Sequence, residues 1–70
     1  MNMPARYEIT VRGKVGETLA DAFEGLVAEP EPAATVLRGE IADRAALHGV
    51  LARIESLGLE LLDVRRIPPR

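Results

Sequence analysis

The stretch LVAEPEPAATVLRG, residues 26–39, decides the fold. Pro30 and Pro32 stand between segments that otherwise have strand character, and proline has no N–H to give a β-ladder. The stretch is therefore either a linker between two units or an edge strand running into a turn. An edge strand tolerates proline where its N–H would face solvent, and a proline there discourages stray pairing. The residues on either side bear on the choice.

Upstream, RYEITVRGKV (6–15) alternates with a period of two. Tyr7, Ile9 and Val11 point one way and Glu8, Thr10 and Arg12 the other, the pattern of a half-buried strand. At Gly13 the period changes. In GETLADAFEGL (16–26), Leu19, Phe23 and Leu26 fall on one helical face, Thr18 and Asp21 have capping-box spacing, and Gly25 suits a helix end. Downstream, ATVLRGEI (34–41) is rich in strand formers. DRAALHGVLARIESLG (43–58) carries Leu47, Val50, Leu51, Ile54 and Leu57 as an apolar stripe, with Asp43 as N-cap and Gly58 just past the last turn. LELLDVRRI (59–67) returns to strand character, and Pro68 and Pro69 stop it.

With a strand at 26–30 the order becomes β-α-β-β-α-β. That is the ferredoxin-like α+β pattern, a four-stranded antiparallel sheet ordered 4-1-3-2 with two helices on one face. Gly25 and the Leu26-Val27 pair favour it over a longer first helix followed by a linker. Residues 26–30 are then a short edge strand guarded by Pro30, and Pro32 shapes the hairpin. Residues 1–70 form one domain, with tails at 1–5 and 68–70. The helices are expected to pack on Ile9, Val11, Leu37, Leu62 and Val64. The opposite face has no cover within the chain and shows Glu8, Thr10, Arg12, Val36, Arg38, Leu61, Asp63, Arg65 and Ile67.

A chain of 70 residues has room for one small core, which rarely supplies more than ~3–5 kcal/mol. Disulfides and thiolate metal sites are excluded by the absence of cysteine, and His48 alone cannot build a structural zinc site. Association with a second copy is the remaining supplement, so a homodimer is expected, with Val36, Leu61 and Ile67 as interface residues. No apolar run is long enough to span a membrane and no signal-peptide core opens the chain, so a cytoplasmic location is expected. The net charge of −2 argues against a general polyanion binder. Its distribution is uneven: Glu17, Asp21, Glu24, Glu29 and Glu31 cluster in one region, while Arg6, Arg12 and Lys14 near one end match Arg65, Arg66 and Arg70 at the other.

The chemistry-bearing residues are few. Metal-carrying ferredoxin-like proteins need paired cysteines, which this chain lacks. RNA-recognition modules stack bases on aromatics of the two central strands, and Tyr7 and Phe23 are the only aromatics here. Nucleic acid is therefore not an expected partner, and no cofactor is expected. The loop Gly13, Lys14, Gly16 precedes a helix start, which can take an anion. Glu17 and Asp21 in the first turn oppose that, and the two glycines read better as a strand-to-helix turn. His48 lies off the apolar stripe as a solvated residue, with no nucleophile beside it. Glu8 and Asp63 are candidate paired carboxylates for acid–base work, but Arg12, Arg38 and Arg65 share their face and favour an ion-pair lattice.

VRGKVGETLADAF (11–23) is loosely similar to the first loop of acylphosphatases. The likeness stops at Glu24, where that family places an arginine, and the one asparagine, Asn2, lies in the tail. AALHGVLARIESLGLELLDVRR (45–66), with VLRGEIADR before it, resembles the C-terminal half of small stand-alone, uncharacterised proteins of high-GC actinobacteria. That resemblance implies a self-contained cytoplasmic protein and assigns no catalytic residues. In topology the chain also resembles ACT-type regulatory modules, which associate through strand edges or sheet faces and bind small ligands between copies. The expected role is thus a homo-oligomerising binding or regulatory module without catalysis. The alternatives are an enzyme or binder for a small anionic ligand at the open face, using Arg12, Arg38 and Arg65 with Glu8 or Asp63, and an accessory subunit of a larger protein.

Overall fold

The computed structural model describes residues 4–13, 21–23 and 25–68. Strand β1 spans Ala5–Arg12, β2 Leu26–Glu31, β3 Ala34–Ile41 and β4 Leu61–Ile67, with one described helix, α1, at Arg44–Ser56. They form an α+β fold whose four strands make an open antiparallel sheet ordered β2-β3-β1-β4. Read from the other edge this is 4-1-3-2. The helix expected over 16–26 falls mainly outside the described residues. Where it is described, residues 21–23 and Gly25 form turns and Leu26 already opens β2, while Phe23 of the expected stripe is buried in the core.

Residues 26–39 resolve as strand, turn and strand. β2 pairs with β3 from Leu26↔Gly39 to Glu31↔Ala34, leaving Pro32 and Ala33 as a two-residue turn. Pro32 holds a negative φ by its ring, and Ala33 follows at φ 62°. A proline followed by a left-handed residue is the pattern of a type II turn, which prefers Gly or Asn at the second place. Pro30 lies in an edge strand, where alternate N–H groups point to solvent and a proline forfeits no ladder bond.

Helix α1 starts and stops where its side chains dictate. The Asp43 carboxylate accepts from the Ala46 N–H at 2.8 Å, satisfying one of the donors that a first turn leaves open. At the other end Gly58 takes φ 76°, its N–H donates to the Glu55 carbonyl, and Leu59 N–H reaches back to the Ile54 carbonyl. These paired bonds make a Schellman motif, which wants glycine at the left-handed position. Leu59 and Ile54 also meet in the core, as that motif favours.

The core comprises Ile9, Val11, Phe23, Leu37, Ile41 and Ile54, with Tyr7, Leu26, Leu47, Val50, Leu51, Leu59 and Val64 packed around it. Burying each large aliphatic side chain contributes on the order of 1.5–3 kcal/mol before chain entropy is counted. The period-two reading of β1 places Ile9 and Val11 correctly. Gly39 lies on this same face against β2: a Cβ built there would stand 2.5 Å from the Gly25 carbonyl oxygen and 2.7 Å from Leu26 Cδ2. Among the described residues Thr35 is the buried polar one, and its hydroxyl donates to the Gly13 carbonyl at 2.8 Å.

Four expectations need correction. Leu62, expected in the core, is 44% exposed, and Leu61, expected on the open face, pairs with Val11, a core-face residue. The cause is a bulge: the register jumps from Thr10↔Asp63 to Val11↔Leu61, so Leu62 becomes the extra residue and the alternation fails beyond it. Val36, expected as an exposed interface residue, is 8% exposed because Thr10 and Glu29 flank it across the strands. Leu57 ends the helix as its C-cap and is exposed rather than part of the packed stripe.

Candidate functional site

The face of the sheet opposite the core carries the charged candidates, and cross-strand register brings them together. Glu8 pairs with Arg38 on β3 and with Arg65 on β4, and Thr10 pairs with Val36 and Asp63. Arg38 Nε donates to the Glu8 carboxylate at 2.7 Å, and its Nη1 contacts the Glu29 carboxylate. One guanidinium thus joins β2, β3 and β1. Glu8 is the less exposed of its two acidic partners, at 23% against 50% for Glu29. Exposed pairs of this kind contribute ~0.2–1 kcal/mol each, more where solvent is partly excluded.

The other two arginines are placed differently. Arg12 leaves the end of β1 and meets Glu60 just before β4, with Nε at 2.9 Å from one carboxylate oxygen and Nη2 at 3.5 Å from the other. Its backbone N–H also donates to the Glu60 carbonyl. Arg65 and Asp63 sit two residues apart on one face of β4 at 3.9 Å, their side chains 68% and 55% exposed. Ile67 is half-buried opposite Arg6 at the far end of β4. Glu8 and Asp63 lie diagonally across β1 and β4 on this face, Glu8 bonded to Arg38 and Asp63 beside Arg65.

Gly13 of the proposed anion loop is described, and its N–H donates to the Ala33 carbonyl at 2.9 Å. That donor is committed to the hairpin. Lys14 and Gly16 lie outside the described residues. His48 is exposed on α1. Among the described residues no three His, Asp or Glu side chains gather as a metal-ligand set, and no described helix is long and apolar enough to cross a membrane.

The fold also converts the uneven charge of the sequence into opposite edges. β1 and β4 run antiparallel side by side, so Arg6 and Arg12 share one half of the sheet with Arg65 and Arg66. β2, at the other edge, carries Glu29 and Glu31 and no base. At the Arg6 end a cavity of ≈ 410 Å³ is lined by Pro4, Arg6, Glu40, Arg66 and Ile67 among others. Arg6 and Arg66 are far apart in sequence, and nothing local to either residue joins them. The antiparallel topology was the signal that joins them.

Residues 6–65 match a family model described as Domain of unknown function (DUF8691). The chain belongs to that family. The match begins one residue inside β1 and ends within β4, so the DUF8691 region includes the whole sheet core and α1. Among curated proteins and among solved structures, nothing matches the chain. The DUF8691 assignment therefore carries no activity, substrate or ligand to these residues.

Proposed function

We propose that the chain is a small self-associating binding or regulatory module without catalysis of its own. The observation that supports this best is how the charges of the open face are used. Arg12 meets Glu60, Arg38 meets Glu8 and Glu29, and Arg65 meets Asp63. A reaction centre calls for ionisable groups set apart from such pairing and aimed at a substrate. A cross-strand lattice of opposite charges suits a contact surface, where it fixes register and orientation. In this proposal the segment between β1 and β2 supplies the second helix of a complete ferredoxin-like βαββαβ unit, and the module works in the cytoplasm as a homodimer.

A second reading draws on Arg65, whose side chain is 68% exposed with its carboxylate partner at 3.9 Å. Such an arginine has donors to offer a small anion bound on the open face. Sedimentation velocity on the full chain separates the two, run from micromolar to millimolar concentration with and without inorganic phosphate. A concentration-dependent dimer that ignores phosphate is the expected result. A folded monomer at every concentration refutes self-association, and binding of phosphate that vanishes in Arg65→Gln favours the second reading.

A further inference from the structure

We propose that β4 is the self-association edge, pairing antiparallel with β4 of a second copy about a two-fold axis through Val64. The inference rests on the self-association proposed above and names its surface. The sheet has two edges, β2 and β4. β2 is blunted by Pro30 and carries Glu29 and Glu31, the devices by which edges avoid pairing. β4 has no proline between Leu61 and Ile67 and leaves Leu61 and Leu62 43% and 44% exposed. Among the described strands it is hydrogen-bonded on one side alone, to β1.

The sequence of β4, LLDVRRI, is self-complementary in one register. A two-fold pairing that keeps both helix layers on the same side must centre on a single residue. Centred on Asp63 it sets two carboxylates face to face, and centred on Arg65 it sets two guanidiniums face to face. Like charges directly opposite are destabilising. Centred on Val64 it sets Asp63 opposite Arg65 of the second copy, twice by symmetry, with Val64 against its own copy between them. Leu62 then comes opposite Arg66, whose aliphatic stem can cover it.

This register also continues the charge row already present within one copy. Arg38, Glu8 and Arg65 lie side by side across β3, β1 and β4, and their signs alternate. Asp63 of the second copy is the next member and keeps the alternation. The bulge at Leu62 lies at the start of β4, outside the three central pairs.

The test is a charge-swap cycle in the full chain, read by sedimentation. Asp63→Arg and Arg65→Asp should each weaken the dimer at least tenfold. The double variant D63R/R65D rebuilds both pairs with their signs reversed and should return the dissociation constant to within about threefold of the original. Because the chain has no cysteine, Val64→Cys offers a second readout: a short bifunctional thiol crosslinker should link the two copies, since directly opposed Cβ atoms in a sheet lie ~4.5–5.5 Å apart. A dimer that gives no crosslink counts against the register. A dimer that is indifferent to the single swaps, or that the double swap fails to restore, overturns the β4 register and leaves self-association standing. A monomer at all concentrations overturns both.

Discussion

Gly39→Ala should loosen the sheet at its β2 edge. The added Cβ would stand 2.5 Å from the Gly25 carbonyl oxygen, 2.7 Å from Leu26 Cδ2 and 3.2 Å from Leu26 Cα. The leucine methyl can rotate away, but the other two atoms are backbone, so the first residues of β2 must move. Forcing an extra methyl into a packed site costs typically ~1–3 kcal/mol. Replacing a strand glycine returns roughly 0.5–1 kcal/mol through lower unfolded-state entropy. The net is a loss of about 1–2 kcal/mol, a large share of the ~3–5 kcal/mol that a core of this size supplies. For a domain of this length that corresponds to a fall in Tm of roughly 5–15 °C. Circular dichroism during heating and urea titration measures it, and the urea slope should stay unchanged because the surface exposed on unfolding is the same. Hydrogen exchange should localise the damage, with protection falling in Val27–Glu31 before β1 and β3. A G39A variant as stable as the parent would refute the close approach of β2 to Gly39, and with it the packing of that edge.

Two further substitutions probe the local conformations. Ala33→Gly should raise stability by about 0.5–1 kcal/mol, because the left-handed conformation at φ 62° costs a non-glycine residue ~1–2 kcal/mol, partly offset by glycine's entropy. Unchanged or lowered stability in the same denaturation assay would count against the turn geometry. Asp43→Ala should cost about 1 kcal/mol by removing the acceptor for the Ala46 N–H, while Asp43→Asn should retain most of the stability. Equal loss in both variants would contradict the capping role.

What the sequence reveals here depends on how local the determinant is. β3 and α1 are set by contiguous patterns and by their own caps, Asp43 and Gly58, and were readable to the residue. The edge strand was readable because proline excludes a central position, so Pro30 pointed to the margin of the sheet. The bulge was not. Leu61 and Leu62 are alike in hydropathy, so neither marks which is the extra residue, and only pairing with β1 decides it. The burial of Val36 had no signal in β3 either, since it depends on Thr10 and Glu29 arriving from two other strands.

The charged face followed the same division. That Glu8, Arg38, Arg65 and Asp63 share a face is a consequence of period two and could be read along each strand. Which carboxylate each arginine meets is a matter of register: the two-residue hairpin at Pro32-Ala33 sets it for β2 and β3, and the long-range pairing of β1 with β3 and β4 sets the rest. The turn brings Arg38 diagonal to Glu29, and the β1–β3 register sets it opposite Glu8, so its guanidinium joins the guarded edge to the centre of the sheet. β4 is the last strand on that side, so the aligned row runs out at the unguarded edge with Arg65 as its last member. The prolines of residues 26–39 therefore do more than permit a strand. By closing one edge and fixing the β2–β3 register, they leave β4 as the edge open to the pairing proposed above.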